Sequence, residues 1–165
     1  MKALCTICMR EGSKGVKGKN FRNLNGRPLM EYTIEQALEC DIIENIVIST
    51  DSKLGASIAQ DMGLEVWFLR PEELSNDNAA KLPVIIHALH EAEKHYSKEF
   101  SHIIDLDATS PLRNAEDIIL AMRQLEASES DNLVTACLSR KNPYFNMLEV
   151  KNDEVSIVKQ LNQPF

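Results

Sequence analysis

The sequence predicts an α/β domain built on a mainly parallel sheet with helices on both faces. Two observations carry this reading. Short apolar runs alternate with stretches of helical periodicity, the rhythm that joins parallel strands through covering helices. Polar loops follow the runs that end at Met9, Leu69 and Asp107, and sheets of this kind gather their ligands at the carboxyl ends of strands.

Taken in order, Ala3–Met9 is a compact apolar run and reads as a buried strand. Residues 10–27 are rich in Gly, Lys and Asn and read as one long loop. Pro28 suits the first position of a helix, whose apolar face continues through Leu29, Tyr32, Thr33, Ile34, Ala37 and Leu38. The β-branched run Asn45–Thr50 is a second strand, and Ser52–Met62 is a helix that Gly63 can stop. Glu65–Leu69 reads as a third strand, Ala79–Tyr96 as a long helix and His102–Asp107 as a fourth strand. Asn114 can cap a helix running to about Ala127, with Asp117 placed for a reciprocal capping-box contact. A fifth strand is expected over Leu133–Leu138, and a hairpin from Phe145–Val150 and Val155–Gln160. The expected organisation is one α/β domain over residues 1–140, then the start of a hairpin element over 141–165.

The 165 residues suffice for one domain with its own core. No apolar run reaches the length of a membrane span, and the apolar stretch behind Lys2 is too short for a secretory signal, so no membrane partner and a cytoplasmic location are expected. The net charge of −7 is uneven. Residues 1–27 carry seven basic groups and one acid, which leaves −13 on the rest. A basic island in an acidic chain suits a small polyanion, while the whole repels nucleic acid. Of the four cysteines, Cys5 and Cys8 form a C-x-x-C. Three residues apart on a strand they point to opposite faces, and no second pair completes a zinc site. All four are expected to be buried or free thiols.

The basic island holds the most unusual segment, Arg10 to Asn20. Gly12, Gly15 and Gly18 are interleaved with Lys14, Lys17 and Lys19. Glycines let backbone N–H groups approach an anion, and lysines supply charge, so the segment suits a triphosphate. It is not a Walker A loop: five residues separate Gly12 from Gly18, Asn20 follows Lys19, and no helix begins at once. A loop of this length in a compact domain is more often functional than not.

At this point the chain resembles a known family. Arg10-Glu-Gly-Ser-Lys-Gly15, Gly18-Lys-Asn20, Leu24-Asn-Gly-Arg-Pro-Leu29, Ile48-Ser-Thr-Asp51, Arg70-Pro-Glu-Glu-Leu74 with Asp77, and Thr109-Ser-Pro-Leu-Arg113 follow one another as in the acylneuraminate cytidylyltransferases. These are the CMP-sialic acid synthetases and their bacterial relatives acting on legionaminic-type acids. The resemblance implies a nucleotide-diphospho-sugar transferase-like fold. It implies transfer of CMP from CTP to the anomeric hydroxyl of an acidic nine-carbon keto sugar, with release of pyrophosphate. It places Arg10 and Lys19 on the CTP phosphates as the catalytic charges. Gly12, Ser13, Lys14 and Gly15 would shape the phosphate-binding backbone, and Asn20 would help hold the nucleotide. Arg70 would lie at the cytosine, with Asp77 and Lys81 near the nucleoside. Asp107, Thr109, Ser110 and Arg113 would face the sugar. Sialic-acid enzymes usually carry glutamine where this chain has Asp107, which hints at a legionaminic-type acid. A Mg²⁺ ion and a homodimer are implied as well. The family's metal-binding aspartates lie in a C-terminal segment beyond residue 165, so the isolated chain is expected to bind nucleotide weakly and turn over poorly.

Two rival readings stand beside this one. Asp105-Leu-Asp107 is a D-x-D at a strand end, which could hold a metal on a nucleotide sugar in a glycosyltransferase; a non-catalytic nucleotide-binding module is the other. His87, His90, His95 and His102 invite a metal site, but packing is the expected role for them and for Trp67.

Overall fold

The computed structural model describes residues 3–12, 15–136, 147–152 and 154–159. The chain forms two compact units, Met1–Ser128 and Glu129–Phe165.

The first unit is the α/β domain. Strands β1 (Ala3–Cys8), β4 (Ile43–Ser49) and β5 (Ile103–Asp105) form a parallel sheet in the order β4-β1-β5. Cys5 pairs with Ile46 and Ile7 with Ile48, and on the other side Leu4 pairs with Ile103 and Thr6 with Asp105. Because β1 has a later strand on each flank, its carboxyl end is a topological switch point, where such sheets open a crevice.

Side chains of β1 divide the core in two. Cys5, Ile7 and Met9 pack with Met30, Ile34 and Ala37 of α1 (Leu29–Leu38), Ala59 of α2 (Lys53–Asp61) and Ile118 of α4 (Ala115–Glu126). Leu4 and Val47 pack on the other face against Ala88 and Ala92 of α3 (Lys81–Tyr96). Helices therefore cover both faces, as the rhythm of the sequence predicts. The helix ends follow local chemistry. The Ser52 side chain caps α2 at Gly55 N, and Gly63 at φ 85° follows its end. Asn114 and Asp117 form the expected capping box, a device that contributes about 1 kcal/mol.

Two expectations are corrected. Residues 65–69 form no strand; at the end of this stretch the backbone N–H of Arg70 donates to Thr50 O at 2.8 Å, just past β4. The reason lies in the side chains: Trp67 and Phe68 both enter the α3-side cluster, whereas neighbours in a regular strand face opposite ways. The long loop 10–27 is also partly built. It contains a 3₁₀ turn at Lys19–Phe21 and a small hairpin, β2 (Asn23–Leu24) with β3 (Arg27–Pro28). Asn25 and Gly26, at φ 50° and 99°, supply the two positive φ angles that a tight hairpin turn requires. The helix consequently starts at Leu29, with Pro28 still in the hairpin.

The second unit contains the hairpin of β6 (Leu148–Lys151) and β7 (Glu154–Ile157), inside the expected span. Residues 133–136 are not a strand, and 137–138, the rest of that expected strand, lie outside the described residues. Among the described residues no helix is long and apolar enough to cross a membrane.

Candidate active site

A cleft of about 570 Å³ opens at the carboxyl ends of β1 and β5. Cys8 and Met9 lie at its base, and three chain segments wall it: the loop after β1, the stretch Arg70–Lys81, and the turn after β5. Of the residues singled out from the sequence, Arg10, Gly15, Lys19, Asn20, Arg70, Asp77, Lys81, Asp107 and Thr109 line it. Gly12, Ser110 and Arg113 do not line it, and Ser13 and Lys14 lie outside the described residues.

The loop after β1 is held at several points. Glu11 N donates to Asp51 Oδ1 at 2.8 Å, tying its start to the end of β4. Gly18 takes φ 61°, a left-handed value that glycine adopts without strain, and this reverses the chain into the 3₁₀ turn. Within that turn Asn20 is buried and its Nδ2 donates to Arg10 O at 3.2 Å. Phe21 packs on α2, where its Cε1 stands 3.0 Å from the position a Cβ would take on Gly55. Lys19, between these anchors, is exposed, and its ammonium has no ion pair among the described residues.

The other cations are occupied. Arg10 Nη1 lies 2.8 Å from Asp77 Oδ1. Lys81 pairs with Asp105 Oδ2, whose other oxygen accepts from Thr6 Oγ1 at 3.1 Å. Burial lowers the Lys81 pKa, but the hydrogen bond and charge of Asp105 outweigh it and the net shift is upward. Arg70 is only 7 % exposed and joins three segments: Nη2 donates to the carbonyls of Met9 and Ser49, Nε to Ser49 Oγ at 3.1 Å, and Nη1 to Leu74 O at 3.5 Å. Its guanidinium braces the cleft wall, and the residue lines the cleft. Arg113, expected at the sugar, turns to α1. Its Nη2 reaches Gln36 Oε1 at 3.2 Å, Thr33 Oγ1 at 3.4 Å and the carbonyl of Asp107 at 3.1 Å. It holds the turn after β5 from behind.

Asp107 accepts from Thr109 twice at Oδ1, from N at 2.9 Å and from Oγ1 at 2.7 Å. Burial raises its pKa, but these two hydrogen bonds and the charges of Lys81 and Lys19 prevail and hold the carboxyl below its ordinary value of 3.8. The ionised form therefore favours the folded state above pH 3.8, and that contribution disappears as the pH falls through the depressed pKa. Thr109→Val deletes one donor. The carboxyl-carbon NMR shift of Asp107 should then titrate at a higher pH than in the wild type; an unchanged midpoint would show that the Thr109 hydroxyl does not hold the charge.

β5 ends at Asp105, and Asp107 lies beyond it on the turn. Asp105 is engaged at one oxygen by Lys81 and at the other by Thr6, so the D-x-D does not present two open carboxylates. Among the described residues no three His, Cys, Asp or Glu side chains group as metal ligands. Three of the four histidines make packing or surface contacts: His95 stacks on Trp67 at 4.1 Å, His87 meets the edge of Phe68, and His102 Nδ1 lies 3.0 Å from Ser101 Oγ, while His90 is exposed on α3. Cys5 sits in the core and Cys8 at the cleft base, and burial raises both thiol pKa values, Cys8 to about 11.

One feature escaped the sequence reading. The first turn of α3 lines the cleft through Lys81 and Val84, and its N-cap, Ala80, supplies no side-chain acceptor. Lys81, Leu82 and Val84 supply its leading N–H groups, Pro83 having none, and these make the positive end of the helix dipole beside the cleft. The available signal was negative, the lack of a capping residue at position 80.

The cytidylyltransferase family profile matches residues 4–162. Over 92 % of its length the chain is 47 % identical to post-translational flagellin modification protein B of Campylobacter coli, of which it covers 65 %. Over 96 % it is 47 % identical to the CMP-N,N'-diacetyllegionaminic acid synthase of Campylobacter jejuni, covering 68 % of that protein. It is 34 % identical to the N-acylneuraminate cytidylyltransferase of Escherichia coli over 86 % of its length, and covers 32 % of that one. The fold is shared with a CMP:2-keto-3-deoxy-manno-octonic acid synthetase solved in complex with CTP, at a TM-score of 0.64 and 20 % identity, over 77 % of this chain and 48 % of the other.

Proposed function

The chain belongs to the cytidylyltransferase family, and from that premise we propose that its cleft binds CTP and directs transfer of CMP to an acidic nine-carbon keto sugar of the legionaminic or sialic type. The observation that carries the reading is the convergence of Arg10, Lys19 and the first turn of α3 on one crevice at the β1 switch point. Three sources of positive potential in one crevice suit three linked phosphates.

In the proposed reaction the anomeric hydroxyl oxygen of the sugar attacks the α-phosphorus of CTP. The new P–O bond forms as the α–β phosphoanhydride bond breaks, pyrophosphate leaves with the bond's electron pair, and the hydroxyl proton passes to solvent. Catalysis of this kind is mainly alignment and charge stabilisation. Lys19, with no ion pair among the described residues and its backbone set by the 3₁₀ turn, meets the phosphates first. Arg10 adds a second, directional donor set. Arg113 and Gln36 keep the turn after β5 in place for the sugar, and Asp107, ionised, accepts from sugar hydroxyls or a cation.

A magnesium ion belongs to the proposal. Mg²⁺ is commonly held by one or two carboxylates plus phosphate oxygens. Asp107 fits this demand, since Thr109 occupies Oδ1 and Oδ2 has no hydrogen bond among the described residues; Asp105 does not fit. When bound, the ion would neutralise charge on the phosphates. A cytoplasmic setting, where CTP is made, and a homodimer complete the reading. Leu148, Val150 and Val155 of the hairpin, 62–68 % exposed, support an apolar contact between copies.

The test is pyrophosphate release from CTP and Mg²⁺ with a panel of nine-carbon keto acids, run on this chain and on a version extended to the length of its relatives. Turnover with a legionaminic-type acid in the extended protein supports the proposal. Equal use of UTP or ATP removes the cytidine assignment, and hydrolysis of a supplied CMP-sugar, with no pyrophosphate released from CTP, returns the reading to a glycosyltransferase.

A further inference from the structure

Arg10 and Lys19 line the same crevice in different states. Lys19 has no ion pair among the described residues, whereas Arg10 is held by the Asp77 carboxylate at 2.8 Å. Both members of that pair face water in part, with 32 % of the Arg10 and 42 % of the Asp77 side chain exposed. Asp77 follows a 3₁₀ turn at Glu72–Leu74, in a stretch pinned by short-range contacts: Asn76 Nδ2 to Glu73 O at 2.9 Å and Asn78 N to Asn76 Oδ1 at 2.9 Å. No strand ladder fixes it. Asp77 thus places a carboxylate on the guanidinium that a nucleotide's phosphates would seek.

We propose that Asp77 is an internal competitor for phosphate at Arg10 and so a specificity-determining residue of the cleft. This rests on the reading that the cleft receives a nucleotide triphosphate. Asp77 occupies Nη1 of Arg10, so a phosphate oxygen that takes this edge of the guanidinium displaces Asp77. A solvent-exposed ion pair is weak, and a chain of phosphates carrying several charges displaces it readily. A single phosphate has less charge to offer and gains less. The pair re-forms as pyrophosphate departs, which favours release of that product. Asp77 therefore tunes the cleft towards ligands that arrive with several phosphates and part with them.

Calorimetric titration of this chain with CTP, pyrophosphate and cytidine tests the assignment, comparing the wild type with Asp77→Asn and Asp77→Glu. In Asp77→Asn, CTP and pyrophosphate should bind roughly two- to fivefold more tightly, the range an exposed ion pair commands, while cytidine, which has no phosphate, is unchanged. Asp77→Glu keeps the carboxylate and should match the wild type. If Asp77→Asn leaves CTP unchanged or weakens it, Asp77 does not compete but is neutral or positions Arg10, and the proposal falls. An equal gain for cytidine would also overturn it. Failure of the nucleotide reading itself looks different: Lys19→Ala would then leave CTP binding as it was in every background.

Discussion

Lys19→Ala should weaken CTP binding by roughly 10- to 100-fold, the loss that follows when a charge-assisted contact to phosphate is removed. Lys19 stands between two anchors, the buried Asn20 side chain and the left-handed Gly18, and its ammonium makes no ion pair among the described residues that binding would first have to break. Apart from the longer-range attraction it shares with Asp107, its charge is available to the ligand. Titration calorimetry with CTP and with cytidine reads the result: the nucleoside should bind the variant as it binds the wild type. A variant that holds CTP at wild-type affinity would remove the loop after β1 from the phosphate site.

Arg70→Ala acts on the frame instead. One side chain satisfies the carbonyls of Met9, Ser49 and Leu74 and the hydroxyl of Ser49. Its removal leaves the buried carbonyl of Met9 without this donor, while that of Ser49 keeps Met9 N at 3.0 Å, and opens a void where three segments meet, a loss of about 2–4 kcal/mol. For a unit of this size the thermal midpoint should fall by roughly 10 °C or more, followed by circular dichroism. Arg70→Lys keeps the charge but not the fork, so it should recover only a minor part. A midpoint within a degree or two of the wild type would show that the carbonyls find other donors.

These two side chains mark what could be read in the sequence and what could not. The role expected of Lys19 came from local signs, glycines and lysines crowded into eleven residues. The capping box at Asn114 and the strand at Ala3–Cys8 were legible for the same reason: each depends on neighbours in the chain. Arg70 and Arg113 were placed at the cytosine and the sugar by the family resemblance, and nothing local shows where a guanidinium turns. Their acceptors come from positions 9, 49 and 74 in one case and 33, 36 and 107 in the other. Glu65–Leu69 has the composition of a strand, yet the shared cluster of Trp67 and Phe68 overrides it. In the loop after β1, the Asn25-Gly26 turn was a hairpin signal hidden within a stretch read as uniformly irregular.

The contact of Phe21 on Gly55 has a consequence for how an incoming nucleotide is captured. With the aromatic ring seated on α2 and Asn20 bonded to the carbonyl of Arg10, this half of the loop is already ordered before any ligand arrives. Capture then loses little conformational entropy there, so its temperature dependence should reflect charge and hydration more than a folding step. A methyl group at position 55 would crowd the ring at 3.0 Å and require it to give by a few tenths of an ångström, so this seat leaves little room for a larger residue.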